Sequence, residues 1–294
     1  SFACFERGAI VTDLSLERIQ AYRARTYRLL PELRLISAEE AVAFVKERGF
    51  VTFWPIKGVE MPSLWAAVAG ERPVADEHDD PGHKTWGWKD SSLDKKWWYY
   101  AKVLRKKATM IALDVAPYFY ALSENFGAPE EDYLDQYRRG VMTLESKLIY
   151  EALLREGPMH TIALRNATFM TTKEAGYRFN RALEELQADF KILPVGVAEA
   201  GTWNYAFIYD CVHRHFPNLP ERAGAIKISE AQRTLVELYF RSVGAAQFGD
   251  VAKVFQWPHK DVERALYSLV DAGTLVAGLI IPTQKGDWFA LADF

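Results

Sequence analysis

The stretch of this sequence richest in groups able to do chemistry is EHDDPGHKTWGWKD, from Glu77 to Asp90. Glu77, His78, Asp79, Asp80 and His83 offer enough oxygen and nitrogen donors for a metal ion or for a general acid and base pair. By composition, Asp79 and Glu77 are the carboxylates nearest to hand for taking a proton from an attacking water. Trp86 and Trp88 follow, and aromatic walls around a few polar groups, with His78 among them, are what a base-sized ligand needs. No established spacing such as HExxH is present, and a solvated loop ion-paired to the neighbouring lysines would show the same composition. No Walker loop, dinucleotide fingerprint or nucleophile elbow occurs.

The next stretch, KKWWYYAKVLRKK from Lys95 to Lys107, sets cations beside aromatic rings, the pattern that strand binding demands. Read as a helix, it places Lys95, Tyr99, Lys102 and Lys106 on one face, with Trp98 and Arg105 seven apart on another. Lys95, Lys96, Lys102, Arg105 and Lys106 are the expected DNA contacts. An amphipathic helix with Trp97, Tyr100 and Leu104 in the core is the alternative, and both hold if the lysine stems pack while their heads stay wet. The net charge of −3 excludes a protein coated in basic surface, yet the charge is uneven. Residues 60 to 83 hold six acids against one base, and residues 84 to 107 hold eight bases against Asp90 and Asp94.

The elements that would position these residues read most clearly between residues 146 and 209. Leu148, Ile149, Ala152 and Leu153 form a helical stripe stopped by Gly157-Pro158, and Thr161 to Ala167 suffices for a short second helix. A third carries Ala182, Leu183 and Leu186 inward, followed by a strand from Ile192 to Val197, a turn at Gly201-Thr202 and a β-rich return from Trp203 to Tyr209. Three helices and a two-stranded wing make a winged helix. Shifting by 83 positions lays Arg181-Ala182-Leu183 on Arg264-Ala265-Leu266, Leu186 on Leu269 and Ile192 on Leu275. Residues 229 to 292 therefore read as a second copy, and self-similarity of this length means duplicated small domains rather than a solenoid.

The third helix of a winged helix enters the major groove, and here it offers Lys173, Tyr177, Arg178, Asn180 and Arg181. Four acids balance four bases along residues 173 to 191, and the last copy carries more acids than bases, so that copy reads as a packing module,. The N-terminal third begins with a helix from about Leu14 to Leu30 bearing Arg18, Arg23, Arg25 and Arg28. A helix from Ala38 to Arg48 with Ser37 and Glu40 as capping box follows, then a strand from Phe50 to Trp54 and a short helix from Pro62 to Val68. A third winged helix is the expectation there. The fold class is α+β, mainly helical, with tandem winged helix-turn-helix domains over 1–140, 141–216 and 217–294, and Pro217 to Pro220 as the last linker.

The chain has 294 residues, 49% hydrophobic and 26% charged, an ordinary globular composition with room for two or three domains,. No apolar run reaches the roughly 18 to 20 residues that span a bilayer, and the start has no signal-peptide pattern, so a cytoplasmic protein is expected. Ser1 in place of Met suggests a trimmed start. Cys4 and Cys211 offer at most one bridge and no metal-ligand pair, which fits a reducing compartment.

With these residues in place, the chain resembles the winged-helix crosslink-repair DNA glycosylases, the YcaQ and AlkZ group. The resemblance rests on the duplicated winged helices, on Phe50-Val51-Thr52-Phe53-Trp54-Pro55-Ile56, and on the run from Leu144 through Leu193. It implies tandem winged helices and duplex DNA with a lesion or distortion as partner; no cofactor, no metal and no membrane are expected. It also implies a catalytic motif of Gln, an apolar residue, then Gln or Asp just before a proline, the polar pair holding and activating water. The matching triplet is Thr52-Phe53-Trp54 before Pro55, so Thr52 retains a hydroxyl for water whereas Trp54 adds a stacking surface to the pocket and accepts no proton. The family's C-terminal β-barrel has no room before Phe294. The expected function is binding of modified or distorted DNA, with excision slow or absent; any excision would pass to another carboxylate. A non-catalytic DNA-binding or regulatory protein is the alternative, and a metal-dependent hydrolase using the His-Asp loop is a third reading.

Overall fold

The computed structural model describes residues 14–294. Cys4, and with it any bridge to Cys211, lies outside the described residues. Among the described residues, roughly half are helical and nine short strands form three small antiparallel sheets, an α+β fold. Among the described residues no helix is long and apolar enough to cross a membrane.

After α1 (Leu16–Thr26), one element order recurs three times: helix, strand, helix, helix, strand, strand. The first set is α2 (Ala38–Arg48), β1 (Phe50–Thr52), α3 (Leu64–Ala69), α4 (Lys84–Lys95), β2 (Tyr99–Lys102) and β3 (Ala108–Ile111). Connectors α5 (Ala116–Ala121) and α6 (Asp132–Arg138) lead to α7 (Leu144–Glu156), β4 (Met159–His160), α8 (Thr161–Ala167), α9 (Lys173–Ala188), β5 (Ile192–Ala198) and β6 (Ala206–Cys211). Two short helices, α10 (Val212–His215) and α11 (Leu219–Gly224), precede α12 (Ile228–Val243), β7 (Ala245–Gln247), α13 (Phe248–Phe255), α14 (His259–Asp271), β8 (Leu275–Leu279) and β9 (Trp288–Leu291). In every set the last strand lies between the other two: β1-β3-β2, β4-β6-β5 and β7-β9-β8.

The 83-residue register is a packing register. Ala182, Leu183, Leu186 and Ile192 are buried, as are Ala265, Leu266, Leu269 and Leu275, and Ile192 and Leu275 each open a strand. The same apolar side chains point inward because both helices keep the i, i+1, i+4 stripe that one helical face requires. In the first set Ser37 Oγ accepts from Glu40 N at 3.2 Å, while the Glu40 carboxylate accepts from Ile36 N rather than from Ser37 N, a cap displaced by one residue. Gly49 then ends α2 at φ +82, where a Cβ would meet Leu238 of α12 at 3.0 Å.

The first and third sets share one core, in which Phe50, Val51, Met110 and Ile111 join Leu235, Val236, Tyr239, Phe240 and Leu266. The middle set has a separate core around Ile149, Leu153, Phe179, Leu183 and Leu186. α1 belongs to the third set in space: Arg23 donates to Val243 O at 3.1 Å and to Ala245 O at 2.9 Å, and Thr26 Oγ1 to Ser242 O at 2.6 Å. A guanidinium at the C-terminus of α12 satisfies carbonyls that the helix leaves unpaired and faces the negative end of its dipole.

Three expectations from sequence are corrected. Residues 95 to 107 are not a helix: α4 ends at Lys95, Lys96 turns left-handed at φ 53, and Tyr99 to Lys102 pair with Ala108 to Ile111. Arg105 and Lys106 sit at φ 55 and 53 in the connecting turn, a conformation that costs about 1–2 kcal/mol per L-residue and is held here by the ladder on both sides,. Conversely, residues 84 to 95 are a helix rather than a loop, since Lys89, Ser92 and Leu93 go inward despite Gly87 and the local polarity. The Pro217 to Pro220 linker also opens into α11, whose Leu219 and Ala223 are buried.

Leu186→Ala and Leu269→Ala, at matched positions of two sets, should each destabilise by about 2–5 kcal/mol in urea unfolding, the range for emptying a packed leucine site. A second expectation concerns Lys191, buried beside Tyr150 with Nζ donating to Asn125 Oδ1. Burial pushes its pKa from the ordinary 10.5 down to about 8, against the pull of Asp189. Below about 8 both states carry the proton and the full penalty applies; as pH rises from about 8 towards 10.5 the unfolded chain binds more protons, so this group's contribution to stability increases,. Burial of the Cys211 thiol, raised to about 12, acts in the opposite sense above its ordinary value of 9.0. Unfolding free energies compared just above neutrality and near pH 9 should therefore rise less with pH in Lys191→Met than in wild type.

An aromatic and lysine-lined candidate site

The site forms where β1 runs out. Phe53 N still donates to Ala108 O at 2.8 Å and Trp65 N to Phe53 O at 3.0 Å, so the backbone after β1 is held on both sides. Thr52 is fully buried and its Oγ1 donates to Pro62 O at 3.4 Å, Phe53 is buried, and Trp54 is 38% exposed. The Trp54 ring meets Phe53 at 5.1 Å and the Trp86 ring of α4 at 5.7 Å.

Behind Trp86 lies a buried ammonium. Lys89, one helical turn along α4, has its Nζ 4.0 Å from the centre of the Trp86 ring, 4.8 Å from Phe207, 5.4 Å from Tyr205 and 5.8 Å from Phe53. Aromatic faces of this kind attract a desolvated cation. Lys89 Nζ donates to the Tyr205 hydroxyl at 2.9 Å, Tyr205 donates to Asp90 Oδ1 at 2.8 Å, and Lys89 pairs with the same Oδ1 at 3.1 Å. Burial lowers the pKa of Lys89 and Asp90 opposes that shift. Burial and the bond to Asp90 raise that of Tyr205, which stays a donor.

On the other side of Trp54 the surface is cationic. A cavity of about 400 Å³ runs from Trp54 past Lys57 to Lys102, Lys106, Lys107 and Glu184. The β2–β3 turn supplies three of these lysines, and α9 answers with acids: Lys102 Nζ lies 2.7 Å from Glu184 and Lys106 Nζ 3.8 Å from Glu185. Lys102 N also donates to Gln187 Oε1 at 3.1 Å, which fixes the turn against α9. Further along α9, Arg178 is paired with Glu145 at 3.2 Å and Arg181 with Glu185 at 2.9 Å, both guanidinium side chains remaining more than half exposed. Tyr177 and Asn180 are exposed beside them.

The residues expected from sequence are thus divided. Trp54 and Trp86 come together; Trp88 turns elsewhere, with Lys84 over its ring at 5.3 Å. Glu77, His78 and Asp79 are exposed, and no side-chain hydrogen bond or ion pair among the described residues ties them to Trp54. Asp80 and His83 have structural work: Asp80 Oδ1 accepts from Arg72 at 2.6 Å and from Gly82 N at 2.7 Å, and His83 Nε2 meets Ala75 O at 2.9 Å. Those bonds, Arg72's first, hold the Asp80 carboxyl below its usual range. Among the described residues no group of three or more His, Cys, Asp or Glu is placed to hold a metal ion. Of the basic stretch, Lys102 and Lys106 face the cavity, whereas Lys96 donates to His215 O at 2.8 Å, Arg105 to Lys253 O at 2.9 Å, and Lys95 lies over Trp97. Lys95, Lys102 and Lys106 do not share a helical face, because α4 ends at Lys95 and the chain enters β2.

Lys89, Asp90 and Tyr205 were missed. The spacing of Trp86, Lys89 and Asp90 at i, i+3 and i+4 becomes visible once residues 84 to 95 are read as helical; nothing local announces Tyr205, which arrives from the β5–β6 hairpin. Lys89→Ala should lower stability by about 2–5 kcal/mol in urea titration by emptying a buried site, and Lys89→Met, which keeps most of the volume, should cost less.

Comparison with known proteins agrees with this architecture. The solved structure of the Streptomyces sahachiroi DNA glycosylase AlkZ is similar to this chain with a TM-score of 0.56 and 14% sequence identity, over 96% of this chain and 71% of that one, a likeness of fold. No curated protein sequence matches the chain. The family described as AlkZ related matches residues 35–256, which take in β1, the cage around Lys89 and the lysine-lined cavity, and the chain therefore belongs to the AlkZ-related family.

Proposed function

We propose that the protein is a DNA-binding repair protein of the DNA glycosylase type, built of three winged helices over 1–140, 141–216 and 217–294. The repeated order of helices and strands and the common sheet order support that count,. Its partner is duplex DNA carrying a modified or distorted base. The observation that carries the reading is a half-open tryptophan, Trp54, standing at the edge of a cavity with Lys57, Lys102, Lys106 and Lys107 around it. Lysines neutralise phosphates while an aromatic face stacks a base drawn out of the helix. A base that is already unpaired or distorted costs least to extrude, which favours damaged sites over intact duplex.

Two of the lysines are paired with Glu184 and Glu185, so binding exchanges these carboxylates for phosphate oxygens. Arg178, Asn180 and Arg181 extend the same surface along α9. A second reading, a regulatory DNA-binding protein without catalysis, is favoured by one residue: Trp54 stands where the resemblance calls for Gln or Asp, and an indole accepts no proton. Glu77 and Asp79 are the less favoured alternative bases, because they project from the exposed turn before α4.

The variant with Lys57, Lys102, Lys106 and Lys107 all changed to Ala should bind every duplex more weakly. It should also flatten the plot of log K against log salt by up to about 0.9 for each phosphate that is no longer neutralised. Trp54→Ala should instead reduce the preference for a lesion-bearing over an intact duplex, by roughly 1–3 kcal/mol of stacking. Fluorescence anisotropy on matched duplexes checks both. Unchanged salt dependence in the fourfold variant would remove the cavity from the interface.

A further inference from the structure

The cavity beside Trp54 holds amines without acids to match them. Four lysines line it against one carboxylate, Glu184, which Lys102 engages at 2.7 Å, and Lys106 reaches Glu185 at 3.8 Å. Lys57 and Lys107 are left over. Both are exposed, and among the described residues neither side chain has a hydrogen bond, an ion pair or a ring contact. Their backbones are nevertheless fixed in tight turns: Val59 N donates to Ile56 O at 3.0 Å around Lys57, and Lys107 N donates to Leu104 O at 2.8 Å. The stacking surface is also set in advance, because the Trp54 ring leans on Phe53 at 5.1 Å and on Trp86 at 5.7 Å. An indole, two unpaired amines and a carboxylate thus share one cavity of about 400 Å³. Amines of this kind form imines with carbonyl carbons, so the substrate to look for is an aldehyde.

We propose that this cavity is an abasic-site lyase, a further activity that rests on the DNA reading above. Its substrate is a deoxyribose that has already lost its base, whose ring opens to an aldehyde at C1′. The Trp54 ring fills the gap in the base stack, gaining the stacking that an aromatic side chain finds on neighbouring bases. The amine of Lys57 or Lys107, having shed one proton, bonds through nitrogen to C1′. With that proton returned, the aldehyde oxygen leaves as water and a protonated imine remains. Lys102 exchanges Glu184 for a phosphate oxygen, and the released carboxylate takes a proton from C2′,. The bonding pair left at C2′ becomes a C2′=C3′ double bond as the C3′–O bond breaks, and the phosphate departs with the electron pair of that bond. Water adds back at C1′ and frees the lysine beside an unsaturated aldehyde. The water lost on forming the imine is regained at the end, so no co-reactant is needed.

The test incubates the protein with a duplex carrying one abasic site, with and without borohydride, and follows binding, covalent adduct and strand ends separately. Wild type should yield a borohydride-trapped adduct that peptide mapping places on Lys57 or Lys107. It should also cut the strand to leave a 5′ phosphate on one fragment and an unsaturated aldehyde on the other. The double variant Lys57→Arg with Lys107→Arg keeps both positive charges but forms no imine at either position. At saturating protein, where every duplex is bound, it should lose both the adduct and the cut. Glu184→Gln should still be trapped by borohydride while cutting about 10²- to 10⁴-fold more slowly, which separates imine formation from elimination. Cutting by the double-arginine variant at the wild-type rate, or an adduct mapped to another residue, would overturn the proposal. So would a 3′ hydroxyl end, because hydrolysis and not elimination produces it. Wild type that binds the abasic duplex without adduct or cut defeats the lyase and leaves the DNA reading standing, whereas wild type that binds no duplex defeats both.

Discussion

Burying the ammonium of Lys89 is the constraint around which the site is built. Removing such an ion from water costs several kcal/mol even after relaxation, and that penalty is offset only if partners surround it closely. The partners come from separate parts of the chain: Phe53 from the end of β1, Trp86 and Asp90 from α4, Tyr205 and Phe207 from the β5–β6 hairpin. No single segment satisfies the cation. The first and middle sets of elements are therefore held in one relative position by an electrostatic requirement, in addition to apolar contact.

A second clasp lies on the far side of Trp54. The β2–β3 turn is pinned to α9 by Gln187 and by the Lys102–Glu184 and Lys106–Glu185 pairs. These pairs are partly exposed, worth roughly 0–1 kcal/mol each and weakened by salt. The contrast with Lys89 is one of burial. The buried cation is enclosed by rings, whereas the lysines beside Trp54 keep partly exposed side chains and exposed carboxylate partners. The third set, which shares its core with the first, lends support from behind: Leu238 packs against Gly49 and α12 lies along α2 and α5.

At the head of the site, the side chains after β1 differ from those the resemblance implies. Thr52 is turned inward onto Pro62 O and Trp54 outward, so the polar pair expected at these places is replaced by one buried hydroxyl and one stacking surface. On a neighbouring helix, Asp90 accepts from Tyr205 and pairs with Lys89 through one carboxylate oxygen.

Much of the scaffold is legible in the residues alone. The 83-residue register between Leu186 and Leu269 follows from local rules, because a helix that buries one face repeats its apolar residues at fixed spacing, and a strand follows wherever that spacing switches to alternation. The caps at Ser37 and Gly49 and the recurrence of the strand pair are local in the same sense. The stretch from Lys84 to Lys107 was not legible. Its polar, glycine-containing first half became a helix because Lys89 and Leu93 found burial, and its helix-like second half became a hairpin because Tyr99 to Lys102 found partners in Ala108 to Ile111. Pairing and burial with distant segments outweigh intrinsic preferences of a few tenths of a kcal/mol per residue. The same holds for chemistry. Sequence supplied the lysines, the tryptophans and the carboxylates, but only the tertiary structure decided that Asp90 and not Asp79 stands by Trp86, since that depends on Tyr205 crossing more than a hundred residues of chain to reach it.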